Sequence, residues 1–354
     1  RFLSDAKTER LAHDIALAMA QKAGFVDMDE LAAAGKKLKA GAKVYRSYHG
    51  KTLFLAQIGK EPLEKGLSLI GAHIDSPRLD AKPNPLYQDD CMALLDTHYY
   101  GGIKKYQWVT IPLALHGVVI RRDGTKVSLN IGEDPGDPVL TITDLLPHLG
   151  AEQGRKNLSE AFSGEALNVL VASRPVPKDD GDKDYKERTK LRVLRLLRDK
   201  YGIEEEDFAS AELELVPAGP ARELGLDRSM IMGYGQDDRV CAYATIRAIL
   251  DAKGIPGRTR AAVICDKEEI GSYGATGMDS RFMENTVAEL AALMGDSYSE
   301  LTVRRALARS RMLSADVNAL HDPAFPEVSS PNNMAKMGCG IVISKYTGAR
   351  GKSG

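Results

Sequence analysis

Two adjacent glutamates, Glu268 and Glu269, follow the apolar run at 260–266 (RAAVICD) and precede Gly271 and Gly274. Neighbouring carboxylates repel, so at least one should hold its proton more tightly than usual unless a cation neutralises the pair. A metal ligand beside a general base uses both groups: one glutamate binds the ion, the other takes a proton from water. The plain alternative is a solvated pair on a surface turn. The buried strand expected before them favours chemistry.

Three further segments carry groups of the same kind. At 71–77 (GAHIDSP), His73 and Asp75 are two residues apart, so on a continuing strand they share a face. A ligating imidazole usually donates its second N–H to an oxygen, and Asp75 could accept it or orient a neighbour. At 235–239 (GQDDR), Asp237 and Asp238 precede a run rich in Ala, Ile and Leu. One aspartate there would cap a helix; a second is placed to bridge two cations. Asp316, after Leu313-Ser314-Ala315, is unremarkable alone. His321 lies beyond a turn leading to Pro323, and His98, His116 and His148 fall in a different part of the chain. These four imidazoles are read as structural unless another observation recruits them.

All four acidic or imidazole segments sit at or near expected strand ends, where open α/β sheets collect ligand sites. The elements that must position them follow from patterning. Residues 3–23 place Leu11, Ile15, Leu17, Ala18 and Met19 at helical spacing before Gly24. The runs at 52–58 (TLFLAQI) and 67–72 (LSLIGA) have the pattern of buried strands, the second ending at His73. Helix is expected over 239–252, and strands over 260–266 and 340–344 (GIVIS). Between 92 and 230 the texture differs. A hairpin is expected at 107–131 around Asp123-Gly124, then a charged loop from Pro175 to Asp184. A basic helix over 185–201 follows, with Leu191, Leu194 and Leu197 on one stripe, and then a strand at 212–216 (ELELV). A segmented α/β domain (1–91 and 231–354) interrupted by a β-rich module (92–230) accounts for this better than two domains in tandem.

The 354 residues suffice to bury a core without a staple. With 48 basic and 49 acidic residues, net charge is −1, so no global field recruits nucleic acid or anionic lipid. The four cysteines form no CxxC pair, which argues against a structural zinc finger. They fit a reducing compartment, where most would be small buried residues. No run of 18 apolar residues exists to span a bilayer. A cytoplasmic protein without nucleic-acid or membrane partners is expected.

Together the motifs GAHIDSPRLD (71–80), YGQDDRVCAYA (234–244), CDKEEIGSYGATG (265–277) and SADVNALHDP (314–323) resemble the M18 family of metallo-aminopeptidases, closest to its bacterial branch. Each motif is moderately specific, and their order and spacing run through nearly the whole chain. The resemblance implies a mixed-sheet α/β zinc-peptidase domain interrupted by an inserted β-rich dimerisation domain, assembled as a dodecamer. It implies two zinc ions, although cobalt or manganese suits the same ligands. His73 and Asp316 would hold one ion, Asp237 would bridge both, and Glu269 would bind the second. Glu268 would be the general base, Asp75 would support His73 or the metal pair, and His148 would reach a neighbouring subunit's site. The family's last ligand is a His in a Met-His-Ser motif beyond Gly354; the chain is therefore expected to be truncated, its own residues offering the second zinc only Asp237 and Glu269. The implied activity is removal of N-terminal residues from peptides, acidic ones in eukaryotic relatives. Two alternatives stand beside it: a related dinuclear deacylase of N-acyl amino acids, and a metal-deficient paralogue without activity.

Overall fold

The computed structural model describes residues 1–177, 186–295, 299–328 and 330–345. The chain opens with α1 (Phe2–Asp5) and α2 (Glu9–Lys22). A single opening helix was expected; Thr8 breaks it. Its extended backbone and its side chain, which accepts from the Leu11 amide, make it the N-cap of α2, a role worth about 1 kcal/mol. Then come β1 (Val26–Asp27), α3 (Met28–Ala33), β2 (Lys43–Tyr48), β3 (Thr52–Gln57) and β4 (Ser68–His73).

After β4 the chain leaves for a second sheet built from β5 (Arg78–Asp89), β6 (Met92–Tyr100), β7 (Leu113–Ile120), β8 (Lys126–Ile131), β9 (Val169–Ala172) and β10 (Glu212–Pro217). Helices α4 (Leu158–Ala161) and α5 (Arg188–Tyr201) belong to this stretch. A small hairpin, β11 (Arg222–Leu224) and β12 (Met230–Met232), precedes the return. The remaining elements are α6 (Gln236–Asp251), β13 (Arg260–Cys265), α7 (Phe282–Met294), α8 (Glu300–Arg309) and β14 (Arg311–Ser314).

The first sheet runs β1-β2-β3-β13-β4-β14 and is mixed: β13, β4 and β14 are parallel, while β3 is antiparallel to β2 and β13. Every residue of β3 is buried, as a strand covered on both faces requires. Its alternation divides the core. Leu53 and Leu55 pack with Ala12, Ala16 and Ala20 of α2 and Ala242, Ile246 and Ile249 of α6. Phe54 and Ala56 pack on the other side with Phe282, Val287 and Leu290 of α7 and Val303 of α8. Helices therefore cover both faces.

The second sheet, β8-β7-β10-β5-β6-β9, is antiparallel throughout and carries its own core of Leu79, Leu95, Leu115, Val169, Phe208 and Leu215. It begins at Arg78, ahead of the change expected at residue 92. Pro83 and Pro85 obscure β5 in sequence, since proline cannot donate to a ladder, and the pairing with β6 shifts register between Ala81 and Leu86. The β7–β8 hairpin forms around Asp123-Gly124 as expected. Most of the charged loop expected from Pro175, residues 178–185, lies outside the described residues, as does the end from 346.

Two expectations fail. Residues 340–344 form no strand; Ile341 and Ile343 are 92% and 85% exposed. The pattern is strand-like, but a strand needs a partner edge, and among the described residues this segment is hydrogen-bonded to no sheet. Cys91 and Cys339 are exposed, so the cysteines are not mostly buried; Cys91 occupies the solvent-facing turn between β5 and β6. Among the described residues no helix is long and apolar enough to cross a membrane.

Candidate active site

Strands β4, β13 and β14 are parallel neighbours and end near one another. His73 closes β4 opposite Cys265, the last residue of β13, and Ser314 closes β14 opposite Gly71. The loops that follow carry Asp75, the Glu268-Glu269 pair and Asp316 to one edge of the sheet. The start of α6 brings Asp237 to the same edge. There the Ser76 hydroxyl donates to the Asp237 carbonyl at 2.6 Å, and Arg239, buried, donates from Nε to the Ile74 carbonyl at 3.0 Å.

His73 is the centre of the group and is 4% exposed. Its Nε2 lies 3.1 Å from Asp237 Oδ1, 3.7 Å from Glu268 Oε2 and 3.9 Å from Asp316 Oδ1. Ligand atoms of His73, Asp237 and Asp316 all lie within 4.8 Å of one another. Tetrahedral zinc with bonds of about 2.0–2.1 Å places its ligand atoms roughly 3.3 Å apart, so modest closure completes such a site. On the other side of the ring, Nδ1 meets the Asp75 carboxylate at 3.2 Å and the Asp75 carbonyl at 3.1 Å. That contact orients the imidazole with Nε2 toward the carboxylates, the usual arrangement around a ligating histidine.

The turn after β13 is held by the same aspartate. Lys267 takes a left-handed backbone (φ 73°), and the amides of Glu268 and Glu269 then donate to Asp75 Oδ1 and Oδ2 at 3.2 and 3.1 Å. A fourth donor, the Tyr100 hydroxyl at the end of β6, reaches Asp75 Oδ2 at 2.6 Å. These donors, with the His73 charge, outweigh burial and hold the Asp75 carboxyl below its usual range. Gly101, next along the chain, has φ +71°, and a Cβ there would come within 3.3 Å of the Glu269 Cβ. Glycine lets the second sheet approach this close.

The electrostatics of the group suit a cation. Burial, then Asp237, raises the Glu269 carboxyl to about 7. Burial, followed by Asp316, Asp75 and Asp237, raises Glu268 against the opposing pull of His73. Asp316 rises through burial and Asp237. Asp238 is fully buried, with neither carboxylate oxygen in hydrogen-bond geometry among the described residues; burial raises it to about 7 although the Cys241 thiol opposes. Burial lowers His73, but hydrogen bonds to Asp237 and Asp75 and the charges of Asp75 and Asp238 carry it up to about 11. Two like charges 4 Å apart repel by about 4 kcal/mol at an effective dielectric near 20, so a single imidazolium does not balance the six carboxylates gathered here. An acid-rich set with one imidazole suits a divalent ion.

The other histidines stand apart. His148 is exposed in a turn of the second-sheet stretch, and His321 is exposed beyond β14. His98 approaches Glu165 at 3.9 Å, and buried His116 pairs with Glu133 at 3.0 Å. Sequence reading missed Tyr100, Ser76 and Arg239. No spacing rule links Tyr100 to Asp75, whereas Ser76 and Arg239 lie inside the motifs at 71–77 and 235–239.

Comparison with known proteins gives this geometry a family. The model for the aminopeptidase I zinc metalloproteases (M18) matches residues 2–353. A Clostridium acetobutylicum protein described as a probable M18 family aminopeptidase 1 is 53% identical over 353 residues, covering 100% of this chain and 75% of the relative. The crystal structure of a Thermotoga maritima M18 aminopeptidase superposes with a TM-score of 0.91 at 44% identity, covering 99% of this chain and 75% of that one. The mApe1 dodecamer of S. cerevisiae shares the fold at TM-score 0.74 and 22% identity, covering 95% of this chain and 74% of that one. The chain belongs to the M18 family of zinc metallo-aminopeptidases, which are peptide hydrolases.

Proposed function

We propose that this chain removes N-terminal residues from peptides at a pair of zinc ions, with Glu268 as general base. The observation that carries the reading is the convergence of His73, Asp237 and Asp316 with Glu268 beside them, from four separate segments of chain. His73, Asp316 and Asp237 would hold one ion, and Asp237 with Glu269 the second. When bound, zinc supplies Lewis acidity toward the scissile carbonyl and makes water a competent nucleophile near neutral pH.

The residues do the rest. Glu268 is half-exposed, so it reaches solvent and substrate, and burial with the carboxylates around it raises its carboxyl, which favours its acting as a proton acceptor and donor. It takes the proton from the attacking water and returns it to the departing amine. Asp75 holds the His73 ring and both glutamate amides, which fixes the base relative to the ligands. Cobalt or manganese would serve the same ligand set.

We infer further that the second-sheet module associates copies of the chain into a homo-oligomer, a dodecamer by the resemblance. Leu145, Leu146 and Leu149 are 52%, 66% and 69% exposed around His148, an apolar loop suited to burial against another copy. His148 would then complete a neighbour's site.

Release of free amino acid from unblocked peptides tests the reading, with the N-acylated forms as comparison and a panel of N-terminal residues, Asp and Glu included. Turnover of the unblocked series alone is expected. Turnover of the N-acylated forms alone would overturn the aminopeptidase reading in favour of a deacylase.

A further inference from the structure

Asp75 is fully buried, and each of its carboxylate oxygens meets two groups. Oδ1 lies against His73 Nδ1 and the Glu268 amide, and Oδ2 accepts from the Glu269 amide and the Tyr100 hydroxyl. Three of these four groups lie on segments of the first sheet. Tyr100 does not: it is the last residue of β6, in the second sheet, and is 7% exposed. Its 2.6 Å contact is the shortest of the four and falls in the range of charge-assisted O–H···O⁻ bonds.

The tyrosine ring is itself held. The Arg78 guanidinium stacks 3.9 Å from its centroid, and Lys267 Nζ lies 5.1 Å from it. Arg78 is buried and fixed by Asp80 at 2.7 Å and by Glu9 and Glu214, each at 3.3 Å. Those partners come from α2, β5 and β10. A rigid chain of contacts therefore runs from elements of both sheets through Arg78 and Tyr100 to Asp75.

We propose that Tyr100 is a positioning residue of the metal centre: its hydroxyl locks the Asp75 carboxylate, and through it sets the His73 ring and the turn bearing Glu268 and Glu269. This rests on the metal-centre reading of the site given above. Without the hydroxyl, Oδ2 keeps one donor and the carboxylate gains freedom to turn about its terminal bond, which is intrinsically soft. His73 Nδ1 and the Glu268 amide both depend on the other oxygen, so that motion transmits to a ligand and to the base together. Partners at this remove from a metal are worth about 10–100-fold in affinity or activity.

Tyr100→Phe removes the hydroxyl and keeps the ring beneath Arg78. The test is zinc affinity of the full chain, measured by competition with a chromophoric chelator, in wild type, Tyr100→Phe, Asp75→Asn and the double variant, with melting curves of the metal-free proteins as a check of folding. Tyr100→Phe is expected to weaken zinc binding by about 10–100-fold while the metal-free melting point stays near wild type. In the Asp75→Asn background the same change should alter affinity less than about twofold, since the tyrosine acts through Asp75. Native zinc affinity in Tyr100→Phe, or an undiminished effect in the Asp75→Asn background, would overturn the proposal. Should Asp75→Asn not fold, the single-variant affinity decides. Asp237→Ala separates the two layers: if it keeps its zinc, the metal-centre reading fails; if it loses zinc and Tyr100→Phe does not, only the positioning role fails.

Discussion

His73 Nε2 lies 3.1 Å from Asp237 Oδ1 although 164 residues separate them in the chain. In the metal-free protein this contact, with Asp75, holds the imidazolium to about 11, well above its usual 6.5. The Glu269 carboxyl stands at about 7 against a usual 4.5, through burial and then Asp237. Both groups are raised, so both favour the metal-free fold at low pH. The glutamate's contribution is complete below about pH 4.5 and lost as pH rises through about 7; that of His73 is complete below about 6.5 and lost through about 11. Zinc takes only deprotonated ligands. The melting-temperature difference between zinc-loaded and metal-free protein should therefore widen from pH 5 to pH 8, with protons released on zinc binding at pH 7. Melting curves, and calorimetry in two buffers of different ionisation enthalpy, check this; a constant difference and no proton release would contradict it.

Glu268 approaches the ligands but is assigned the proton rather than the ion. Glu268→Gln keeps the shape and removes the base, so zinc content should stay at the wild-type value while kcat falls by about 10²–10⁴. Elemental analysis beside steady-state kinetics decides it. Near-normal kcat would move the base elsewhere, and lost zinc would make Glu268 a ligand.

Beneath the site, Glu9 of α2 and Glu214 of β10 share Arg78, each at 3.3 Å. Only Glu9 also meets Lys51, at 2.9 Å. Burial opposes ionisation of both glutamates; the two cations outweigh it at Glu9 and hold its carboxyl well below the usual range, whereas burial and the Glu9 charge push Glu214 well above its own. Glu214, whose charged form burial and Glu9 disfavour, gives up least when its charge is removed, so Glu214→Gln should cost less than about 1 kcal/mol. Glu9→Gln strips a buried pair of its anion and should cost about 3–5 kcal/mol. Urea unfolding of the two variants measures the difference; equal losses would reverse the assignment of charge.

The parts of the site that lie in local patterns were legible in the sequence. His73 at the end of an apolar run, the Glu268-Glu269 pair after another and Asp237 at the head of α6 each sit where a strand or helix boundary could be expected. Tyr100 was not legible, because its role depends on how one sheet is set against the other, and no periodicity encodes that. The start of the second sheet was hidden for a local reason, the prolines of β5. GIVIS misled in the opposite direction: a β-branched apolar run declares a preference for strand, but pairing is a property of the neighbouring edge.

The most direct test is where zinc goes. Crystals of this chain grown with zinc, with anomalous differences collected across the zinc edge, locate the ion without assumptions about activity. The expected peak lies about 2.0–2.2 Å from His73 Nε2 and from carboxylate oxygens of Asp237 and Asp316. Zinc-loaded crystals with no peak between those three side chains, or with the strong peaks on other residues, would contradict it.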